Sequence, residues 1–139
     1  MKIILNKCYG GFGLSTYATI LYAKKKGIDV YPYKLDYRDK TYNTYIRAAV
    51  DNLSDYIFIK DYGDKVNKKN INWEDLYYLQ KDIIREDMDL INIVEVLGEA
   101  ANGRFAKLIV VDIPDELKDN YIIDDYDGVE TLHQKVQYW

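Results

Sequence analysis

Lys2-Ile3-Ile4-Leu5-Asn6-Lys7-Cys8-Tyr9-Gly10-Gly11-Phe12-Gly13-Leu14-Ser15 opens the chain and decides its class. The apolar run Ile3-Ile4-Leu5 reads as a buried strand. Gly10, Gly11 and Gly13 then interrupt any regular element and mark a loop. Ser15 stands at a helix N-cap ahead of Tyr17, Ala18, Leu21 and Tyr22, whose spacing of three and four lines one face. Lys24-Lys25-Lys26 and Gly27 supply a cationic last turn and a stop. A helix over 15–26 follows. Ile28 to Lys34 resumes as a strand, in which Pro32 marks an edge or an interruption. The opening is a β-loop-α-β unit.

Outward from this unit, Tyr42-Asn43-Thr44-Tyr45-Ile46 and Tyr56-Ile57-Phe58-Ile59 read as strands, because β-branched and aromatic residues suit a pleated sheet. Asp61-Tyr62-Gly63-Asp64 closes the second as a turn. Residues 73–84 fit a helix or a strand equally well. Asp87 caps a second helix whose stripe is Leu90, Ile91, Val94 and Leu97, continued by Ala101 and ended by Asn102-Gly103. Lys107 to Ile113 is apolar on both faces and reads as a central strand that stops at Pro114. Tyr121-Ile122-Ile123 is a shorter strand, Asp127-Gly128 a turn, and Val129 to Trp139 a short last helix. The sum is an α+β fold in a single domain, 1–139, with a mixed β-sheet and two main helices.

At 139 residues the chain has one domain's worth of core and no room for a two-domain enzyme. With 48% hydrophobic and 30% charged residues it is neither disordered nor fibrous. Cys8 is the single cysteine and forms no internal disulfide, and no apolar run approaches a signal peptide or a membrane span. A soluble, cytoplasmic protein is expected, without membrane contact. Two features stand out: 15 tyrosines against 3 phenylalanines, and the distribution of charge. The net charge of -4 by itself argues against an anionic partner. Split at residue 70, the chain carries 13 basic and 7 acidic residues, net +6, before the split, and 6 basic and 16 acidic, net -10, after it. Such asymmetry marks a partner surface or an attraction between the two halves.

Four constellations bear on chemistry. The glycine loop at the start of a helix suits an anion, with Gly10, Gly11 and Gly13 giving access to the main chain and Ser15 adding a hydroxyl. Its spacing matches neither the dinucleotide fingerprint nor the P-loop, and a tight turn plugged by Phe12 and Leu14 explains it as well. The basic half carries Tyr31, Tyr33, Tyr37, Tyr42 and Tyr45, on which a base can stack between cations. Cys8 and His133 would make a thiolate-imidazole pair, but a lone cysteine is more often a small hydrophobe. The acidic run contains Asp112, Asp115, Glu116, Asp119, Asp124, Asp125, Asp127 and Glu130 against a single Lys118. Asp112 at a strand end is its candidate metal ligand, although no calcium-loop spacing is present.

The block Asn6-Lys7-Cys8-Tyr9-Gly10-Gly11-Phe12-Gly13-Leu14-Ser15, with Lys60-Asp61-Tyr62-Gly63-Asp64, Arg85 to Leu90, Leu97 to Gly103, Ile113-Pro114-Asp115 and Asp125 to Glu130, resembles a family of small proteins encoded by phages and prophages of Gram-positive bacteria. The resemblance implies a setting, that of accessory factors acting against host defence, and no catalytic residue. The leading expectation is a non-enzymatic binding protein that sequesters a nucleotide-type anion through Gly10, Gly11, Gly13 and Ser15, with stacking on tyrosines such as Tyr31 and Tyr33. The alternative is an inhibitor of a host nuclease or CRISPR-type effector, whose Asp124, Asp125, Asp127 and Glu130 imitate nucleic acid. A small metal-dependent enzyme using the same carboxylates is the third reading. No cofactor is expected, and a homo-oligomer would be a natural way to build a pocket at an interface.

Overall fold

A computed structural model describes residues 1–48, 56–77 and 85–135. Strand β1 (Lys2–Asn6) pairs antiparallel with β6 (Leu108–Asp112) in a two-stranded ribbon. Alternation sends Ile4 of β1 to one side, with Leu108 and Val110 of β6, and Ile3 and Leu5 to the other, with Ile109 and Val111. The first side meets helices α1 (Thr16–Lys25) and α2 (Met88–Leu97), through Ala18, Leu90, Ile91 and Val94. The second meets the hairpin of β7 (Tyr121–Tyr126) and β8 (Val129–Gln134), through Tyr121, Ile123 and Leu132. The ribbon is thus the middle of three layers.

A separate antiparallel sheet holds β2 (Tyr31–Leu35), β3 (Thr44–Arg47), β4 (Ile57–Ile59) and β5 (Lys65–Asn67) in the order β4-β2-β3-β5. Its core is Tyr33, Ile59, Val66 and Ile71. The edge position expected from Pro32 is not found, because β2 is an interior strand. Pro32 accepts from the Ala48 N–H at 3.3 Å, one residue past the end of β3, so its missing N–H falls where that ladder frays. Strand β5 has Val66 as its one apolar residue and carries no sequence signal.

The α+β class with two helices holds, but the single mixed sheet does not. Every strand pair among the described residues is antiparallel, and β1 and β2 lie in different sheets. Strand β6 is not central among strands: within the described residues it pairs only with β1, and its two apolar faces are covered by layers above and below. The final helix is also corrected, since Val129–Gln134 is a strand; residues 136–139 lie outside the described residues. The Asp127-Gly128 turn causes this. With φ of 50° and 90° and Tyr126 facing Val129, it is the two-residue turn that returns a strand on itself. Helix α2 ends at Leu97, earlier than expected, because Gly98 takes φ +57° and the chain continues as a 3-10 turn over Gly98–Ala101. The ambiguous segment 73–84 begins with a 3-10 turn at Trp73–Asp75, and residues 78–84 lie outside the described residues.

Two polar joints fix the layers. Glu130, 4% exposed, faces Arg85 with both carboxylate oxygens, one of them 2.7 Å from Nη2, and also accepts from the Asn6 N–H at 2.8 Å. Asp87 joins the helices: it caps α2, accepts from the Tyr22 hydroxyl at 2.6 Å and pairs with Lys26 at 2.9 Å. Burial and the bond to Asp87 push the Tyr22 phenol up to about 12. Burial works against the Asp87 carboxylate, but the hydrogen bonds from Tyr22 and Lys26 outweigh it and hold its pKa below the ordinary value.

Glu130→Gln leaves the Arg85 guanidinium buried without its counter-charge and should cost about 3–5 kcal/mol in urea unfolding. Asp124→Asn, on the exposed face of the same hairpin, should change stability by less than about 0.5 kcal/mol. Asp87→Asn keeps the cap, because asparagine caps as well as aspartate, and removes the charged joint, at about 1–2 kcal/mol near neutral pH. A carboxylate with a depressed folded pKa contributes stability that is complete above its unfolded pKa of about 3.9 and is lost as pH falls through the folded value. The melting temperature of the Asp87→Asn variant should therefore fall less steeply than that of the wild type below about pH 4.

Candidate functional site

The expected anion cradle is in part taken up by the protein itself. The turn at Gly103-Phe105 and the tip of the β7–β8 hairpin both close on the glycine loop. A side chain on Gly10 would meet Phe105, and one on Gly128 would meet the Gly11 nitrogen and the Tyr9 carbonyl. Gly103 donates its N–H to the Gly13 carbonyl at 2.9 Å, and Ser15 donates its own to Ala101 at 2.8 Å. The Ser15 hydroxyl is buried and accepts from the Ala18 N–H at 3.1 Å, as an N-cap should. These glycines let three backbones approach one another.

Tyr31 and Tyr33 lie in the other sheet, and neither offers an open face. Tyr33 is 0% exposed, donates to the Gly63 carbonyl at 2.7 Å and accepts from the Tyr62 N–H at 2.9 Å. The guanidinium of Arg47 covers the ring of Tyr31 at 4.1 Å while pairing with Asp61 at 3.1 Å. Gly13 lines a cavity of about 340 Å³ with Ile57 and Phe58 of β4, whereas the Tyr33 ring is turned into the core of that sheet.

Of the acidic set, Asp124, Asp125 and Asp127 are exposed, whereas Glu130 is buried and committed to Arg85. Asp124 pairs with His133 at 3.1 Å, and Asp125 accepts from the Gly128 N–H at 2.7 Å to hold the hairpin turn. His133 is exposed and also contacts the Thr131 hydroxyl at 3.0 Å. Cys8 is half-buried. Among the described residues no three His, Cys, Asp or Glu side chains form a group that could hold a metal ion. No helix of the described residues is long and apolar enough to cross a membrane.

A different site is assembled at the β3–β5 edge of the four-stranded sheet. Asn43, Asn67, Lys68, Lys69 and Trp73 line a concavity of about 480 Å³. Each wall has a local cause. Asn67 caps a 3-10 turn at Lys68–Asn70 by accepting from the Lys69 N–H at 3.1 Å, and Asn72 caps the next, at Trp73–Asp75, by accepting from the Glu74 N–H at 3.1 Å. Two successive turns thus carry Lys68, Lys69 and Trp73 on a short stretch of chain. The Lys68 N–H donates to the Asn43 carbonyl at 2.6 Å, which ties that stretch to the loop before β3. Trp73 sits edge-on to Tyr45, with ring centres 6.1 Å apart, and remains 41% exposed.

The electrostatics of this edge follow from which cations are already engaged. Arg38 pairs with Asp36, Arg47 with Asp61 and Lys60 with Asp75. Lys65, Lys68 and Lys69 are exposed and form no ion pair among the described residues. Asp39 is turned into its own loop, where it accepts from the Thr41 hydroxyl at 2.6 Å and the Thr44 hydroxyl at 2.8 Å; these bonds hold its pKa down to about 2. Glu74 stands next to Trp73 as an exposed acid. An indole face beside two unpaired ammonium groups and two side-chain amides can take a planar base with its phosphate. Sequence patterning places stacking in this half but on other rings; the signal for this site is Lys68-Lys69 four to five residues ahead of Trp73. No protein-family model, curated protein or solved structure matches the chain.

Proposed function

We propose that this protein is a non-enzymatic binding protein whose ligand is a nucleotide-type anion, held at the Trp73 edge of the four-stranded sheet. The observation that carries the reading is the half-exposed Trp73 ring sharing a concavity with Lys68 and Lys69, which no acid of the described residues neutralises. Stacking on the indole supplies affinity without demanding one base, and the lysines supply attraction to phosphate. Asn43 and Asn67 offer amide groups to the base edge or sugar. The resemblance of the Asn6–Ser15 block to small phage and prophage proteins supports the setting: an accessory factor acting in the host cytoplasm by sequestering its ligand.

Stacking quenches indole fluorescence, and the chain has two tryptophans, so Trp139→Phe leaves Trp73 as the reporter. Titration with adenosine and uridine nucleotides should quench it. Trp73→Ala should weaken binding, followed by calorimetry, by about 5- to 150-fold, corresponding to about 1–3 kcal/mol per stacked base. Trp73→Phe should recover part of the loss, Lys68→Ala and Lys69→Ala should each flatten the salt dependence, and Glu74→Gln should tighten binding. No quenching and no heat with millimolar nucleotide would overturn the reading.

A further inference from the structure

We propose that the ligand of this edge is a single-stranded nucleic acid spanning at least two bases, an inference that rests on the Trp73 reading above. The aromatic surface does not stop at Trp73. Tyr42 immediately precedes Asn43, which lines the concavity, and Tyr42 is 56% exposed. Tyr37, 74% exposed, meets Tyr42 edge-on with ring centres 6.3 Å apart. Large exposed rings of this kind cost solubility and make few internal contacts, so their retention on one loop calls for a partner with flat apolar faces.

The loop that carries them is held in shape. Asp39 accepts from the backbone N–H groups of Thr41 and Asn43 and from the hydroxyls of Thr41 and Thr44, and the Tyr42 N–H donates to the Asp39 carbonyl at 3.0 Å. Tyr42 is one of two non-glycine residues with positive φ among the described residues, at 55°, a conformation that tyrosine adopts at a cost unless its surroundings fix it. A second stacking position is therefore presented by a rigid loop one residue from the first site's wall. Lys40 accompanies it between Tyr37 and Tyr42 in the chain, exposed and without an ion pair among the described residues, and Lys68 is tied to the same loop through the Asn43 carbonyl. Exposed rings and ammonium groups gathered at one end of a sheet edge suit a strand whose bases splay out while its phosphates meet the lysines. A free mononucleotide would engage Trp73 and leave Tyr37 and Tyr42 unused.

The test measures affinity of the full-length chain for oligothymidylates of one to eight nucleotides at fixed salt, by calorimetry, together with thymidine monophosphate. Affinity should rise by about 10-fold or more between one and three nucleotides, beyond the statistical gain from added positions, and then level off. Tyr42→Asn, chosen because asparagine accepts positive φ, and Tyr37→Ala should each remove that gain while leaving mononucleotide affinity within about 2-fold. Mononucleotide binding that persists with no gain in length overturns this inference and leaves the Trp73 reading intact. Absence of binding to every probe overturns both. A length gain that survives both substitutions also overturns the inference, since the second base would then stack elsewhere.

Discussion

Asn6 and Glu130 decide where everything else in the three-layer half of the molecule can sit. Asn6 ends the first strand fully buried, and its polar side-chain atoms are all used: its amide donates to the Cys8 and Gly128 carbonyls, and its oxygen accepts from the Cys8 and Lys107 N–H groups. Its backbone N–H donates to Glu130. One residue thereby ties β1 to the hairpin tip and to the start of β6. Glu130 passes the connection on to Arg85, whose guanidinium lies 3.8 Å from the ring centre of Phe12 in the glycine loop. A buried pair of this kind contributes little net stability over an apolar substitute, because desolvation offsets the attraction. Its physical effect is exclusion. A shift of the hairpin register by one residue would turn Glu130 to the other face and leave the largely buried Arg85 without its partner, at a cost of about 3–5 kcal/mol.

That constraint accounts for the glycines of the loop without a ligand. Asn6 pulls Gly128 and Lys107 towards the end of β1, so three backbones meet where the loop runs, and only residues without side chains allow the approach at Gly10, Gly103 and Gly128. A glycine-rich turn after a strand and before a helix is the same string of letters whether its amides face phosphate or another stretch of main chain. The distinguishing partners, Gly103 and Gly128, lie far along the chain, beyond the reach of a local pattern.

The elements legible in the sequence are those whose causes are local. Ser15 and Asp87 cap their helices with their own side chains, and Asp127-Gly128 turns the chain through its own dihedral angles. What a local reading misses depends on partners distant in sequence. Val129 to Gln134 reads as a helix because its strand character comes from pairing with β7 and from burying Glu130, an acid that pattern alone assigns to a surface. Strand β6 reads as central because two apolar faces look the same whether they are covered by neighbouring layers or lie within a wide sheet. The tyrosine excess is legible as a count and not as a role. Tyr22, Tyr33 and Tyr121 spend their hydroxyls on Asp87, Gly63 and Glu86, whereas Tyr37 and Tyr42 remain at the surface. Trp73 stands in a segment of ambiguous periodicity, and its exposure depends on capped 3-10 turns too short to leave a periodic signal.

The uneven charge now separates into two parts. Some of the attraction between the halves is internal: Lys2 pairs with Glu95, Lys26 with Asp87 and Asp89, and Lys60 with Asp75. These pairs engage cations of β1, of the end of α1 and of the turn after β4, while Lys65, Lys68 and Lys69 on the β5 side have no acid among the described residues. A cation that stays unpaired in a chain of net charge -4 does so against an abundance of carboxylates. Screening limits the reach of exposed charges to about 8 Å at physiological salt, so the negative total has little effect on an anion at this edge. Within that range the surplus of acids on the hairpin makes its own surface unfavourable to an anion, whereas the β5 side carries the opposite sign. For such a molecule the sign of the total charge says little about any one surface, where the local cations and acids set the potential.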